Sequence, residues 1–258
     1  MIETATDRMR KVKSILVTQE APTDVNSPYL KLAEKFNLKI DFRPFIQVEA
    51  VPVKEFRKQK IEILQYTAII FTSRHAVDHF FQICQELKIE MPPEMKYFCI
   101  SDQTSNYLQK YIVIRKRKIF SGLKDTKDLL EIIKKHKNEK FLFPCSDIRK
   151  NDIPDFLTEN GFDFTEAIMY HTVASNLNDL KNVYYDILAF FSPSGINSLY
   201  INFPDFVQNN TRIAAFGPTT AKAVRDASLI LDIEAPLPNA PSMTGALEVY
   251  IKAANGIK

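Results

Sequence analysis

Short runs of apolar residues recur along almost the whole chain, each followed by a longer stretch whose apolar positions return at helical spacing. The runs fall at 14–18, 39–45, 68–72, 96–100, 111–114, 140–144, 164–172, 187–191, 212–216 and 228–232. Between them the pattern predicts helices at 28–36, 53–65, 73–87, 102–109, 126–136, 151–160, 193–202, 219–227 and 242–254. Runs too short and too uniformly apolar to alternate read as strands covered on both faces, and strands separated by amphipathic helices read as parallel-sheet α/β architecture.

The order of these elements repeats. IIFTSRHAV (69–77) lies beside LAFFSPSGI (188–196) when Ser73 is set on Ser192. YFCISDQTS (97–105) lies beside IAAFGPTTA (213–221) when Thr104 is set on Thr220. KFLFPCSD (140–147) has no counterpart further on; its match is SILVTQEA (14–21), and FTEAIMY (164–170) then matches KIDFRPF (39–45). One five-strand unit is therefore expected at 48–171, and a second assembled from 1–45 and 175–258. The chain passes between them at 43–49 and 169–174, both extended: Pro44 keeps the first out of helix, and the second is β-branched and aromatic. The fold expected is two flavodoxin-like parallel-sheet domains joined by a two-stranded antiparallel linker, with a cleft between them.

In open parallel sheets, ligands gather beyond the carboxyl ends of the strands, where helix N-termini present free N–H groups. The polar turns of this chain fall there. In FFSPSG, Ser192 suits an N-cap, Pro193 suits the first helical position, and Ser194 and Gly195 expose backbone donors. In FGPTTA, Gly217 permits close approach, Pro218 starts the helix, and Thr219 and Thr220 carry hydroxyls. FTSR (with Thr72 and Ser73), ISDQT (with Thr104) and FPCSD (with Ser146) repeat the arrangement in the other unit. Two readings compete. The turns are well-capped helix starts and nothing more, or they form two rims of donors for a ligand with many carboxylates or phosphates.

Composition narrows the choice. Of 258 residues 45% are hydrophobic and 25% charged, the balance of a soluble globular chain. No stretch approaches the roughly 18 apolar residues of a membrane span, and the polar start, 1–12, reads as a frayed leader rather than a signal peptide. Net charge is +3, too little to argue for nucleic acid, and the RKRK run at 115–118 reads as a solvated strand face. Six glycines make no GxGxxG and no Walker loop. Cys84, Cys99 and Cys145 have the spacing of neither a disulfide framework nor a zinc site. His75 and His79 stand four apart on a helix but lack a third ligand, which favours a surface pair over a metal site. Cys145 reads as a structural thiol, since no histidine partner is evident. Tyr170, on the second crossing, either packs the linker or serves as a proton donor.

At these turns the sequence resembles the uroporphyrinogen-III synthase family, through IIFTSRHAV, KFLFPCSDIRKNDIPDFL, IMYHTVAS, FFSPSGINSL, IAAFGPTTAKAV and APSMTGALEVYI, in order from about residue 13 onward. The resemblance implies a lyase of haem biosynthesis that closes hydroxymethylbilane to uroporphyrinogen III with inversion of ring D. It also implies no cofactor or metal and a cytoplasmic setting. Tyr170 matches the family tyrosine assigned to hydroxyl departure, Thr104 and Thr220 its threonines, and Ser73, Ser192 and Ser194 its rim serines. Ser101, where many members have glycine, and Gln19, where many bacterial members have arginine, depart from the pattern. The expected partner is the tetrapyrrole alone, bound by a monomer, without nucleic acid or membrane. The competing readings are a non-catalytic homologue that binds a tetrapyrrole or other polyanion, and a flavodoxin-like signalling module. The second is disfavoured by the absence of clustered acids after the first strand.

Overall fold

The apolar runs become the strands of two sheets in a computed structural model that describes residues 8–113, 115–123 and 126–257. The strands are β1 (Ser14–Val17), β2 (Lys39–Phe42), β3 (Ile46–Ala50), β4 (Ala68–Phe71), β5 (Lys96–Cys99) and β6 (Ile119–Ser121). They continue with β7 (Lys140–Ser146), β8 (Asp163–Ala174), β9 (Ile187–Phe190), β10 (Arg212–Phe216) and β11 (Leu231–Ala235). The α-helices are α1 (Pro28–Phe36), α2 (Val53–Phe56), α3 (Arg74–Glu86), α4 (Asp102–Tyr107) and α5 (Thr126–Ile133), followed by α6 (Asp152–Glu159), α7 (Pro193–Asn202), α8 (Pro218–Asp226) and α9 (Met243–Asn255).

The chain divides into two units: unit 1 runs to Gln47 and resumes at Val173, and unit 2 is Val48–Thr172. In unit 1 the sheet order is β11-β10-β9-β1-β2, with every neighbouring pair parallel. In unit 2 it is β3-β8-β7-β4-β5-β6, parallel from β8 through β6. Written with β1 and β7 each as the first strand, both sheets read 2-1-3-4-5, a doubly wound order. Unit 2 is thus a cyclic permutation of unit 1, in the pairing that the sequence repeat gives. The sheet of unit 2 carries β3 as an additional neighbour of β8.

Each sheet is covered on both faces, which is why its central strands are apolar throughout. In β4, Ile69 and Phe71 pack into one cluster with α3, whereas Ala68 and Ile70 face a second cluster with Leu129, Ile133 and Phe141. In β1, Ile15 and Val17 face one side and Leu16 the other. The two-residue period of a strand sends alternate side chains to opposite layers.

Several expectations are corrected. Residues 8–12 are not a frayed leader. Arg8, 4% exposed, donates to Asp232 Oδ1 at 2.6 Å and to the carbonyls of Asn209 and Thr211, and Val12 is buried. A guanidinium has enough donors to tie a polar segment down without an apolar core of its own. Residues 1–7 lie outside those described. The run 111–114 is not a strand. Residues 108–110 form a 3₁₀ turn, Tyr111 stacks on Phe81 at 4.6 Å, and Ile114 is outside the described residues. The fifth strand of unit 2 is instead β6, and the basic run before it winds into a 3₁₀ turn at Lys116–Lys118. The helix expected at 53–65 is one turn of α2 and two 3₁₀ turns, interrupted where Lys60 takes a left-handed φ of 55°. The last strand starts later than 228 because the turn that closes α8 runs through Ser228 at φ 58° and the Leu229 N–H returns to the Val224 carbonyl.

Candidate functional site

In unit 2 the polar turns converge at the carboxyl ends of β4, β5 and β7. Ser73 breaks β4 from α3 in extended conformation, and its Oγ accepts from the Ala76 N–H at 3.1 Å. That satisfies one orphan donor of the first turn and fixes the hydroxyl at the positive end of the helix. The same Oγ lies 3.4 Å from the hydroxyl of Tyr170 on β8. Tyr170 is 8% exposed. Burial pushes its phenol above the ordinary value against the lowering effect of the Ser73 hydrogen bond, so the group holds its proton at neutral pH.

The Tyr170 backbone is clamped as well. A register shift at Cys145/Ser146 sets Ser146 opposite Tyr170, and the Asp147 N–H donates to the Tyr170 carbonyl at 3.3 Å. Asp147 Oδ1 accepts from the N–H groups of Ile148 and Thr172 and from Ser146 Oγ. Ser146 itself is buried. Next to Tyr170, the His171 ring bridges Asp147 Oδ2 at 3.1 Å and Glu55 Oε1 at 3.3 Å. The Asp147 contact foremost, and Glu55 after it, raise the imidazole above its ordinary value, with burial opposing.

At the end of β5, Ser101 caps α4. Its Oγ faces the N–H and the Oγ1 of Thr104, each at 3.4 Å. The hydroxyl is folded back onto its own helix, not projected across the rim. Thr104 is 5% exposed. Thr72 is half-buried between β4 and Ser73.

Unit 1 carries the matching starts. Ser192 caps α7 with φ −152° and ψ 154°, close to the −160° and 163° of Ser73, and accepts from Gly195 N–H at 3.3 Å. Gly195 is buried so closely against Phe190 that a Cβ would lie 3.2 Å from its ring. Ser194 is half-buried. The start of α8 differs from its counterpart at Ser101: Gly217 stands at φ 84°, with no side-chain cap, and its N–H donates to Ala235 O at 2.6 Å. Thr219 is exposed on the first turn and Thr220 is 1% exposed. A further start that the sequence reading passed over is that of α9, where Ser242 Oγ accepts from Gly245 N–H at 3.0 Å. The hydroxyl three residues before a glycine in PSMTG was its signal.

Of the predicted residues, then, the fold brings Ser73, Ser146 and Tyr170 together in unit 2, and Gly217, Thr219 and Thr220 onto one helix start in unit 1. Ser73 and Ser192 meet the description of helix caps. Cys84, Cys99 and Cys145 are buried, and burial pushes each thiol up to about 12. Cys145 is therefore no nucleophile at neutral pH. The histidines are not the surface pair expected. His75 is exposed, but His79 is half-buried, with its ring 5.2 Å from that of Tyr170. Spacing along α3 shows the pair; its contact with a strand 91 residues further on has no local signal. Among the described residues no group of three or more His, Cys, Asp or Glu is placed to hold a metal, and no helix is long and apolar enough to cross a membrane.

Residues 27–245 match the family model described as Uroporphyrinogen-III synthase HemD. The chain is 24% identical over 258 residues to the uroporphyrinogen-III synthase of Chlorobaculum parvum, spanning 93% of this chain and 100% of that one. It is 28% identical over 137 residues to the uroporphyrinogen-III synthase of Saccharomyces cerevisiae, spanning 48% and 50%. Among solved structures it is similar to the uroporphyrinogen-III synthetase of Helicobacter pylori, with a TM-score of 0.60 at 18% identity over 93% of this chain and 99% of that one. A mutant uroporphyrinogen III synthase of Thermus thermophilus gives 0.53 at 15% identity, over 95% and 99%. Identities this low speak for the shared fold.

Proposed function

Because this chain belongs to the uroporphyrinogen-III synthase family, we propose that it closes hydroxymethylbilane to uroporphyrinogen III with inversion of ring D, as a cofactor-free lyase of haem biosynthesis. The observation that carries the reading is the buried phenol of Tyr170 held against Ser73 at the N-terminus of α3. A phenol kept protonated by its surroundings is suited to give its proton to the terminal hydroxyl as that group departs. Loss of the hydroxyl leaves an azafulvene cation. Attack by the substituted carbon of ring D gives a spiro intermediate, which opens and recloses with the ring turned over.

The leaving group departs readily, and closure without a catalyst gives the uninverted type I isomer. The task is therefore to favour one geometry over another, and positioning should carry most of it. We assign carboxylate binding in unit 2 to the turns of Thr72, Ser73, Thr104 and Ser146. In unit 1 we assign it to those of Ser192, Ser194, Gly195, Gly217, Thr219 and Thr220. Of these, Gly195, Thr104, Ser146 and Thr220 are buried. They act by setting the turn, while free N–H groups of the first helical turns face the anion. The working state is a cytoplasmic monomer without nucleic-acid or membrane partners.

The test is incubation with hydroxymethylbilane, oxidation of the products to porphyrins and resolution of their isomers. Type III is expected; type I alone overturns the assignment.

A further inference from the structure

Tyr170 has a second neighbour that the acid step leaves without a role. His79 lies on α3 one turn beyond His75, and its ring faces that of Tyr170 with centroids 5.2 Å apart and 32° between the planes. The ring of His75 is 6.4 Å away on the other side. The Nδ1 of His79 is buried and has no hydrogen-bond partner. An enclosed N–H without an acceptor is the rarer and costlier arrangement, so the lone pair belongs on Nδ1 and the proton on Nε2. Burial holds the imidazole below its ordinary value; His75 adds to this, and Gln82 and Asp78 oppose it. The titratable groups around the ring are His75 and Asp78 from its own helix and Tyr170 from β8, and Tyr170 in turn feels Cys145.

These contacts divide the control of the phenol. Ser73 holds the oxygen at one point but does not by itself set the plane of the ring. A flat neutral ring against the phenol face does. Its neutrality also keeps positive charge away from the place where a carbocation forms. Resting on the assignment of Tyr170 as the proton donor, we propose that His79 is a positioning residue, whose uncharged ring packs against Tyr170 and keeps the phenol O–H aimed at the departing hydroxyl.

Kinetics and fluorine NMR test this together. His79→Ala should lower kcat on the order of 10-fold, the scale of a slightly misplaced catalytic group, with KM nearly unchanged. His79→Phe, which keeps a flat neutral ring, should restore most of the rate. Added to Tyr170→Phe, His79→Ala should cost nothing further, because the two act as one unit. In protein carrying 3-fluorotyrosine, the resonance that disappears in Tyr170→Phe should shift with pH as an imidazole titrates below the ordinary histidine value. That shift should persist in His75→Gln and vanish in His79→Phe. An unchanged kcat in folded His79→Ala, losses that add to those of Tyr170→Phe, or a Tyr170 signal indifferent to His79 would each overturn the inference. A wild-type protein that forms only type I defeats the functional assignment instead, and the fluorine signal still decides whether His79 governs the phenol.

Discussion

At the scale of single residues the account turns on what surrounds a hydroxyl or an imidazole. Tyr170→Phe removes the proposed proton donor and leaves the ring packing. Its kcat should fall about 100-fold, at the low end of general-acid contributions, while KM stays within a small factor; an unchanged kcat in steady-state assays excludes the phenol from the chemistry. His171 offers a pH test in the same strand. Its raised value in the folded state comes from Asp147 and then Glu55, so protonation and folding favour each other. The stabilisation is full below the ordinary histidine value and is lost as pH rises through the raised one. The imidazole is half-buried between two partly exposed carboxylates, so the effect is small and salt should weaken it. Thermal midpoints of wild type and His171→Gln should differ on the acid side and converge towards alkaline pH; curves that stay parallel contradict the pairing. Much of this scale was legible in the sequence. A hydroxyl placed between an apolar run and a helix signalled Ser192 as a cap, and the repeat carried that to the turn of Ser73, because capping is local chemistry; Ser101, which caps α4 in the same way, stood out only as a departure from the family pattern. The packing of His79 against Tyr170 was not, because it depends on which strand a helix packs against.

At the scale of elements, backbone conformation separates two starts that the sequence aligns. Gly217 stands at φ 84° with open space where a Cβ would go, whereas Ser101 is extended at φ −154°. Gly217→Ala should therefore cost about 1–3 kcal/mol from backbone strain alone, and Ser101→Gly only a few tenths. Urea unfolding of both variants checks the difference; equal losses would mean the two turns are alike. The N-terminal segment makes a stronger prediction. Arg8 and Asp232 are paired with side chains 4% and 4% exposed, so Arg8→Ala leaves a buried carboxylate and should cost about 3–5 kcal/mol. A loss below 1 kcal/mol in the same urea experiment contradicts the clamp. Polar composition alone made 1–12 look frayed, since a buried guanidinium on carbonyls has no hydropathy signature. The misplaced strand at 111–114 has a related cause: YIVI is apolar, but Tyr111 spends its ring on Phe81 and its hydroxyl on Asp78. The true strand, IFS, is too short to show a period.

At the scale of the whole chain, the two sheets share one strand order under cyclic renumbering, and that was legible because four ordered matches outlast the divergence of individual residues. What the repeat does not contain is the asymmetry that matters for chemistry. Position 73 of unit 2 and position 192 of unit 1 are the same cap in the same geometry, yet Ser73 is met by the hydroxyl of Tyr170, whereas the residue that the repeat sets on Tyr170 is Phe45, which has none. A duplicated scaffold thus holds a buried tyrosine against a cap serine in one unit, the group proposed above as the acid. Such a protein accelerates one mode of closure in competition with a spontaneous one. The most direct measurement is the type III to type I ratio of the product at a fixed time and fixed hydroxymethylbilane, across a series of protein concentrations. The ratio should climb with protein until type III is nearly the sole product; a product that remains type I at every concentration contradicts the account.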